Sequence, residues 1–177
     1  QPHLRMAAAD QFGPGVVMSG GNGTNNYARF DLQGFNQTLA GLVSTNNALV
    51  VQNERLGGGG TSAAATLTLN GAGTYSHTGY LCDEDDGGHT YKLSIVKEGT
   101  GTQTFSGGYI NYWGSTTVNE GKLVFQNTTA MANGTSTASF DIGPNGILEF
   151  NGAQNIGSSA AGNTTFTGTG TLLKTGS

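Results

Sequence analysis

The sequence predicts an all-β fold, a parallel β-helix of roughly seven to eight coils. Three observations lead there. Apolar residues come in short β-branched or aromatic clusters, cut apart every few residues by Gly, Thr and Asn. Those clusters favour extended backbone, and the residues between them favour sharp corners. Glycine supplies 31 of 177 residues while charged residues make up only 10%. Disorder usually comes with high charge and few β-formers, so this composition points to an ordered chain. The third observation is an arrangement of strands and turns that recurs at an offset of about 118 to 119 residues.

Residues 1–44 hold Leu4-Arg5-Met6, a turn at Gly13-Pro14-Gly15, then Val16-Val17-Met18 and the corner Gly20-Gly21-Asn22-Gly23. In Ala28-Arg29-Phe30-Asp31-Leu32, residues Ala28, Phe30 and Leu32 share one face of a strand. Met6 to Gln11 is the best candidate for a helical turn, and it is too short to stand alone. In residues 45–92, Ala48-Leu49-Val50-Val51 and Ala65-Thr66-Leu67-Thr68-Leu69 read as strands. Between them Gly57-Gly58-Gly59-Gly60 reads as a loose corner, with a hinge as the alternative.

From Leu93 to Phe125 the apolar clusters are shortest and closest. Ile95-Val96, Thr104-Phe105, Tyr109-Ile110-Asn111-Tyr112-Trp113, Thr116-Thr117-Val118 and Leu123-Val124-Phe125 are separated by Gly-containing breaks. Strands like these cannot each cross a broad sheet, but they fit the sides of a coil. Residues 121–160 then repeat 1–44, with Leu123-Val124-Phe125 in the place of Leu4-Arg5-Met6 and Glu149-Phe150-Asn151-Gly152 in the place of Asp31-Leu32-Gln33-Gly34. Leu172-Leu173-Lys174-Thr175-Gly176 likewise matches Ile95-Val96-Lys97-Glu98-Gly99. Leu32 to Ile95 is about 63 residues and Phe150 to Leu172 about 22, so the first copy holds about two extra coils at about 45–92. The whole of 1–177 is read as one solenoid segment. At about 20–25 residues per coil and about 4.8 Å per rung, the rod is roughly 35 Å long.

Two strings also carry a family resemblance. One is Lys97-Glu98-Gly99-Thr100-Gly101, Thr102-Gln103-Thr104-Phe105-Ser106-Gly107 and Thr116-Thr117-Val118-Asn119-Glu120-Gly121. The other is Phe30-Asp31-Leu32-Gln33-Gly34-Phe35-Asn36-Gln37-Thr38. Together they resemble the autotransporter-associated β-strand repeat of secreted passenger domains in Gram-negative bacteria and of large surface proteins in related phyla. The resemblance implies a parallel β-helix, exported and displayed outside the cell, and it implies no catalytic activity. The translocating barrel of an autotransporter is not in this sequence.

Composition narrows the function classes. The net charge is −4 and the seven basic residues are scattered singly, so no basic patch suits nucleic acid. No apolar run reaches the ~18 residues that insertion into a bilayer needs. The N-terminus lacks a signal-peptide pattern, which for an exported protein suggests a processed or excised piece. Cys82 is the one cysteine and has no internal disulfide partner.

Candidate chemistry is sparse. Cys82-Asp83-Glu84-Asp85-Asp86-Gly87-Gly88-His89 is the only charge-dense stretch. Calcium on Asp83, Asp85 and Asp86 is weighed against a solvated loop, and the loop is preferred because no EF-hand or calcium-repeat pattern is present. Cys82, His89 and His77 are not at a zinc spacing. Outside that loop the acids Asp10, Asp31, Glu54, Glu98, Glu120, Asp141 and Glu149 are scattered, and Asp31 and Glu149 fall at equivalent repeat positions. A structural role is expected for them, not a converging active site of the polysaccharide-enzyme kind. Tyr109, Tyr112 and Trp113 form an aromatic group that could stack sugar rings, with Tyr75, Tyr80 and Tyr91 nearby in sequence. Packing is the alternative. Asn22, Asn36, Asn127, Asn133 and Asn163 fit the glycosylation pattern, as chance alone allows in a chain rich in Asn and Thr.

Leu4 and Met6 at one end, and Leu172 and Leu173 at the other, look like interior strands, so the end rungs are expected to be open templates. The expectation is a non-catalytic, extracellular structural rod of a bacterial fibre or adhesin, with no cofactor. Its expected partners are its own terminal coils or neighbouring solenoid segments. A carbohydrate-binding adhesin module is the second reading and a polysaccharide-active β-helix enzyme the third.

Overall fold

The computed structural model describes residues 2–20, 27–54, 63–83, 90–107, 109–126, 139–153 and 164–176. Among them are sixteen strands, β1 to β16 along the chain, and no helix. Every strand pair is parallel, and the chain winds round three faces. The first face stacks β1 (His3–Arg5), β3 (Ala28–Asp31), β6 (Leu49–Asn53), β9 (Tyr80–Asp83) and β12 (Ile110–Asn111). The second stacks β4 (Gln37–Leu39), β7 (Ala65–Leu69), β10 (Leu93–Lys97), the first halves of β13 (Thr116–Gln126) and β14 (Ser139–Asn151), and β15 (Thr165–Gly168). The third stacks β2 (Val17–Gly20), β5 (Gly41–Ser44), β8 (Thr74–His77), β11 (Thr102–Phe105), the second halves of β13 and β14, and β16 (Thr171–Thr175). Because β13 and β14 run unbroken round a corner, the second and third faces form one eleven-stranded sheet.

The fold is therefore the parallel β-solenoid that the sequence predicts. Its first face has five rungs among the described residues, so about five turns close on all sides, fewer than the seven to eight expected. The reason is coil length. His3 pairs with Arg29, Arg29 with Val50, Val50 with Tyr80 and Leu81 with Ile110, which are steps of 26, 21, 30 and 29 residues. The variation sits at the corner from the first face to the second: 5 residues (32–36), then 11 (54–64), then 9 (84–92). Residues 45–92 hold β6 to β9, one turn and the opening strand of the next. The repeat of 1–44 in 121–160 keeps its one-coil spacing, since Leu4 pairs with Phe30 and Phe125 with Phe150. The first pair lies on the first face and the second on the third. Gly57 to Gly60 lie outside the described residues. Met6 to Gln11 make a turn, not a helix, in which the Gln11 Oε1 accepts the Ala7 and Ala8 N–H groups at 2.7 and 3.1 Å.

Alternation along each strand fills the core. In β7 the side chains of Ala65, Leu67 and Leu69 are buried while Thr66 and Thr68 between them are half-buried. Like positions then stack from rung to rung. On the third face, register aligns His77, Phe105, Phe125 and Phe150, with ring centroids 6.0, 5.7 and 5.7 Å apart. On the second face it aligns Leu67, Ile95, Thr116, Phe140 and Phe166. Aromatic pairs at these separations add to the burial of the rings themselves.

Polar side chains mend the places where the backbone ladder opens. The Gln103 Oε1 accepts the Leu42 N–H at 2.9 Å, and its Nε2 donates to the Leu42 carbonyl at 3.1 Å, so one side chain stands in for a neighbouring peptide. The Asn53 Nδ2 donates to the Ala63 and Tyr91 carbonyls, and its Oδ1 accepts the Gly34 N–H. His77 is fully buried, with Nδ1 2.9 Å from the Ser44 Oγ and Nε2 3.4 Å from the Tyr80 carbonyl. Ser44 Oγ already accepts the Thr78 and Gly79 N–H groups, so its own proton goes to Nδ1. The ring is then a neutral Nε2–H tautomer. Burial lowers its pKa from 6.5 to about 4, with the Tyr80 carbonyl opposing.

The corner between the second and third faces is built on glycine. Gly99 and Gly121 have φ of 66° and 68°, a region that costs other residues about 1–3 kcal/mol. A Cβ on Gly121 would lie 2.4 Å from the Gly99 carbonyl oxygen of the rung beside it. Lys97 folds over this corner and donates to the carbonyls of Glu98, Gly99 and Glu120. Its pKa is lowered by burial, against the pull of Glu120 and Glu98. Lys174 does the same to the carbonyls of Thr175 and Gly176, and Gly176 has φ 67°. Lys-x-Gly is thus a corner device used twice.

These features set three expectations. Gly121→Ala lowers the unfolding free energy by at least about 1–3 kcal/mol in urea titration. Phe125→Ala, at the middle of the aromatic column, costs about 3–5 kcal/mol. For His77, the unfolded chain takes a proton below pH 6.5 while the folded chain refuses it down to about pH 4. Stability is therefore full above pH 6.5 and falls by up to about 3 kcal/mol as pH drops toward 4. His77→Asn removes the part of that slope lying between pH 6.5 and 4.5, read from denaturation midpoints against pH.

Candidate functional site

The outer side of the first face carries a groove of about 510 Å³, lined by Tyr27, Arg29, Asn47, Val50, Gln52, Glu54, Tyr80, Cys82 and Tyr109. Strand alternation puts them there. In β6 the Val51 side chain points into the core, so Val50 and Gln52 point out; in β9 Leu81 points in, so Tyr80 and Cys82 point out. Register then lines up Arg29, Val50 and Tyr80 in one row and Asp31, Gln52, Cys82 and Asn111 in the next. Val50 is the smallest member of its row and forms the floor.

Three tyrosines make one wall. The Tyr80 ring lies 5.8 Å from Tyr27, tilted by 32°, and 5.7 Å from Tyr109 at 69°. Tyr27 and Tyr80 share a hydroxyl hydrogen bond, which raises the Tyr80 pKa. Asn111 Nδ2 donates to the Tyr109 hydroxyl at 2.9 Å. The opposite wall is the ion pair of Arg29 Nη1 and Glu54 Oε1 at 3.4 Å, both partly exposed. Asp31 lies beneath it, fully buried. Its carboxylate accepts the Glu54 N–H at 3.1 Å and the Gln33 Nε2 at 2.5 Å, with His3 Nε2 at 3.4 Å. The Cys82 thiol is pushed up to about 12, first by burial and then by the nearby Glu54 and Asp83 charges, so it stays protonated and unreactive at neutral pH. The groove offers flat rings, paired charges and amides, which are groups for holding a ligand.

The aromatic group expected from the sequence is divided by the structure. Tyr109 lines the groove and is 43% exposed. Tyr112 does not join it. The ring is buried, the hydroxyl lies 2.6 Å from the Thr116 Oγ1, and burial raises its pKa. Trp113 is half-buried, lies outside the groove lining, and its N–H donates to the Asp83 Oδ2 at 2.7 Å. Tyr91 is buried, and the Tyr75 ring occupies the space where a Cβ on Gly41 would sit. Tyr27, Arg29 and Glu54 were not singled out by the sequence reading as ligand residues. Only the strand register shows that they share a groove with Tyr80.

Asp83 Oδ2 also accepts the Leu93 N–H at 2.9 Å, so this carboxylate oxygen ties two neighbouring turns together. Asp85 and Asp86 lie outside the described residues, as do Glu84 and His89, and among the described residues no group of three metal-binding side chains occurs. His77 faces the core and Cys82 the outer groove, so the sheet wall separates them. Glu149 pairs with Lys122 and accepts the Thr175 hydroxyl, and these contacts lower its pKa against the effect of burial. Asn36 uses its Oδ1 to accept the Thr66 N–H at 2.8 Å; Asn22, Asn127, Asn133 and Asn163 lie outside the described residues.

At the ends, β1 pairs only with β3, β2 only with β5, and β15 and β16 only with β14 among the described residues. Leu4 is 44% and Leu172 48% exposed. Leu172 continues the column of Leu123 and Leu148, and Phe166 stacks on Phe140 at 5.1 Å with its outer side uncovered. Leu173 is half-buried. Met6, expected at the open edge, is instead buried in the core, where its N–H donates to the Asp31 carbonyl. Compared with protein-family models, with curated proteins and with solved structures, the chain matches none.

Proposed function

We propose that this chain is a structural, non-catalytic rod of an extracellular bacterial fibre or adhesin, whose end rungs mate with further rungs of the same kind. One observation carries the reading: the inward columns run to both ends of the described solenoid and stop with Leu4, Phe166 and Leu172 uncovered. A parallel strand edge that also presents apolar side chains is a template for another strand. Solenoids normally close such an edge with a polar cap. The mating rung comes either from a neighbouring segment of a longer solenoid or from a second copy. Export to the cell surface rests on the resemblance of 97–121 and 30–38 to the autotransporter-associated repeat.

Sedimentation and electron microscopy across a range of concentrations test the reading. The chain should assemble end to end into rods that lengthen with concentration. Phe166→Lys with Leu172→Lys should return it to monomers with an unchanged β circular dichroism spectrum. A wild-type chain that stays monomeric at high concentration rules out mating between copies.

A further inference from the structure

We infer that the groove on the outer side of the first face binds a neutral sugar, a hexose or short oligosaccharide, stacked against Tyr109 and Tyr80 and hydrogen-bonded by the Arg29–Glu54 pair. The inference does not draw on the rod reading. It starts from the wall of rings. A pyranose presents an apolar face of C–H groups and a rim of hydroxyls. Tyrosine complements both, with an apolar face and a polar edge. Tyr109 is 43% exposed, and Tyr80 and Tyr27 are half-buried beside it.

The polar groups narrow the class. Arg29 supplies donors and Glu54 acceptors, fixed 3.4 Å apart on adjacent rungs. Hydroxyl pairs can bridge such a fork, since each hydroxyl both donates and accepts. Gln52 and Asn47 add amides. The two formal charges cancel, and Cys82 contributes a neutral thiol. A uronate or phosphate would meet Glu54, and an amino sugar would meet Arg29, so the lining favours an uncharged ligand. The volume of about 510 Å³ lies in the usual range for small-molecule sites. The rungs rise by about 4.8 Å, close to the length of one sugar unit, so a chain of sugars can run along the row. In an open groove with few anchors, the dissociation constant is expected on the order of 1 mM.

The test is a titration of the full chain with neutral hexoses and their short oligomers, with a hexuronate and with glucosamine, followed by saturation-transfer NMR. A neutral saccharide should bind with its ring protons saturated, and more strongly than either charged sugar. Tyr109→Ala should weaken binding about fivefold or more. Because Tyr109 is exposed, this variant should keep the wild-type melting temperature. Tyr80→Phe keeps the ring, so it should weaken binding less. Leu172→Lys at the far end should leave affinity unchanged. Absence of binding by every neutral saccharide, preference for a charged sugar, or an unchanged affinity in folded Tyr109→Ala would each overturn the inference.

Discussion

Each rung can rest on the one below only if the chain turns its corners in less room than a side chain needs. Strands of one ladder sit about 4.8 Å apart, and nothing at a corner can hold them further away without breaking the register of all three sides. At the corner between the second and third faces, a Cβ on Gly101, Gly121 or Gly146 would lie within 2.5 Å of a backbone oxygen of the adjoining rung. The high glycine content thus serves rung contact. Where the corner carries a longer side chain, as at Lys97 and Lys174, that side chain is spent on the corner's own carbonyls.

The same constraint explains why polar residues sit inside. Parallel ladders leave N–H and C=O groups unpaired wherever a loop intrudes, and a buried unpaired group costs about 1–3 kcal/mol. Asn53, Gln103, Ser44 with His77, and the Oδ2 of Asp83 each fill such a gap with a side chain. Asp83 and His77 looked like metal ligands because of their residue type. Their positions give them backbone work instead.

Much of this was legible from the residues. Short alternating strands, Gly-bearing corners and the Lys-x-Gly pattern all correspond to what the coils do. The coil count was not, because it assumed one coil length while the steps range from 21 to 30 residues. Tyr112 was legible in principle: alternation places it with Ile110 on the inner side and Tyr109 with Asn111 on the outer. Reading the aromatic cluster as one surface obscured that. The groove itself could not be read, since Tyr27, Tyr80 and Tyr109 are 53 and 29 residues apart and only the register across unequal loops brings them together.

The unequal loops have a further consequence. Corner length varies where the first face hands over to the second, while the step from second to third takes four residues (70–73 and 98–101) and then none, as β13 and β14 pass straight through. Two sides of the prism thus behave as a rigid spine and the remaining side as an interchangeable panel. Residues can be gained or lost beside the panel without disturbing the spine. A lineage could therefore remodel its outward-facing surface again and again while inheriting the same axle.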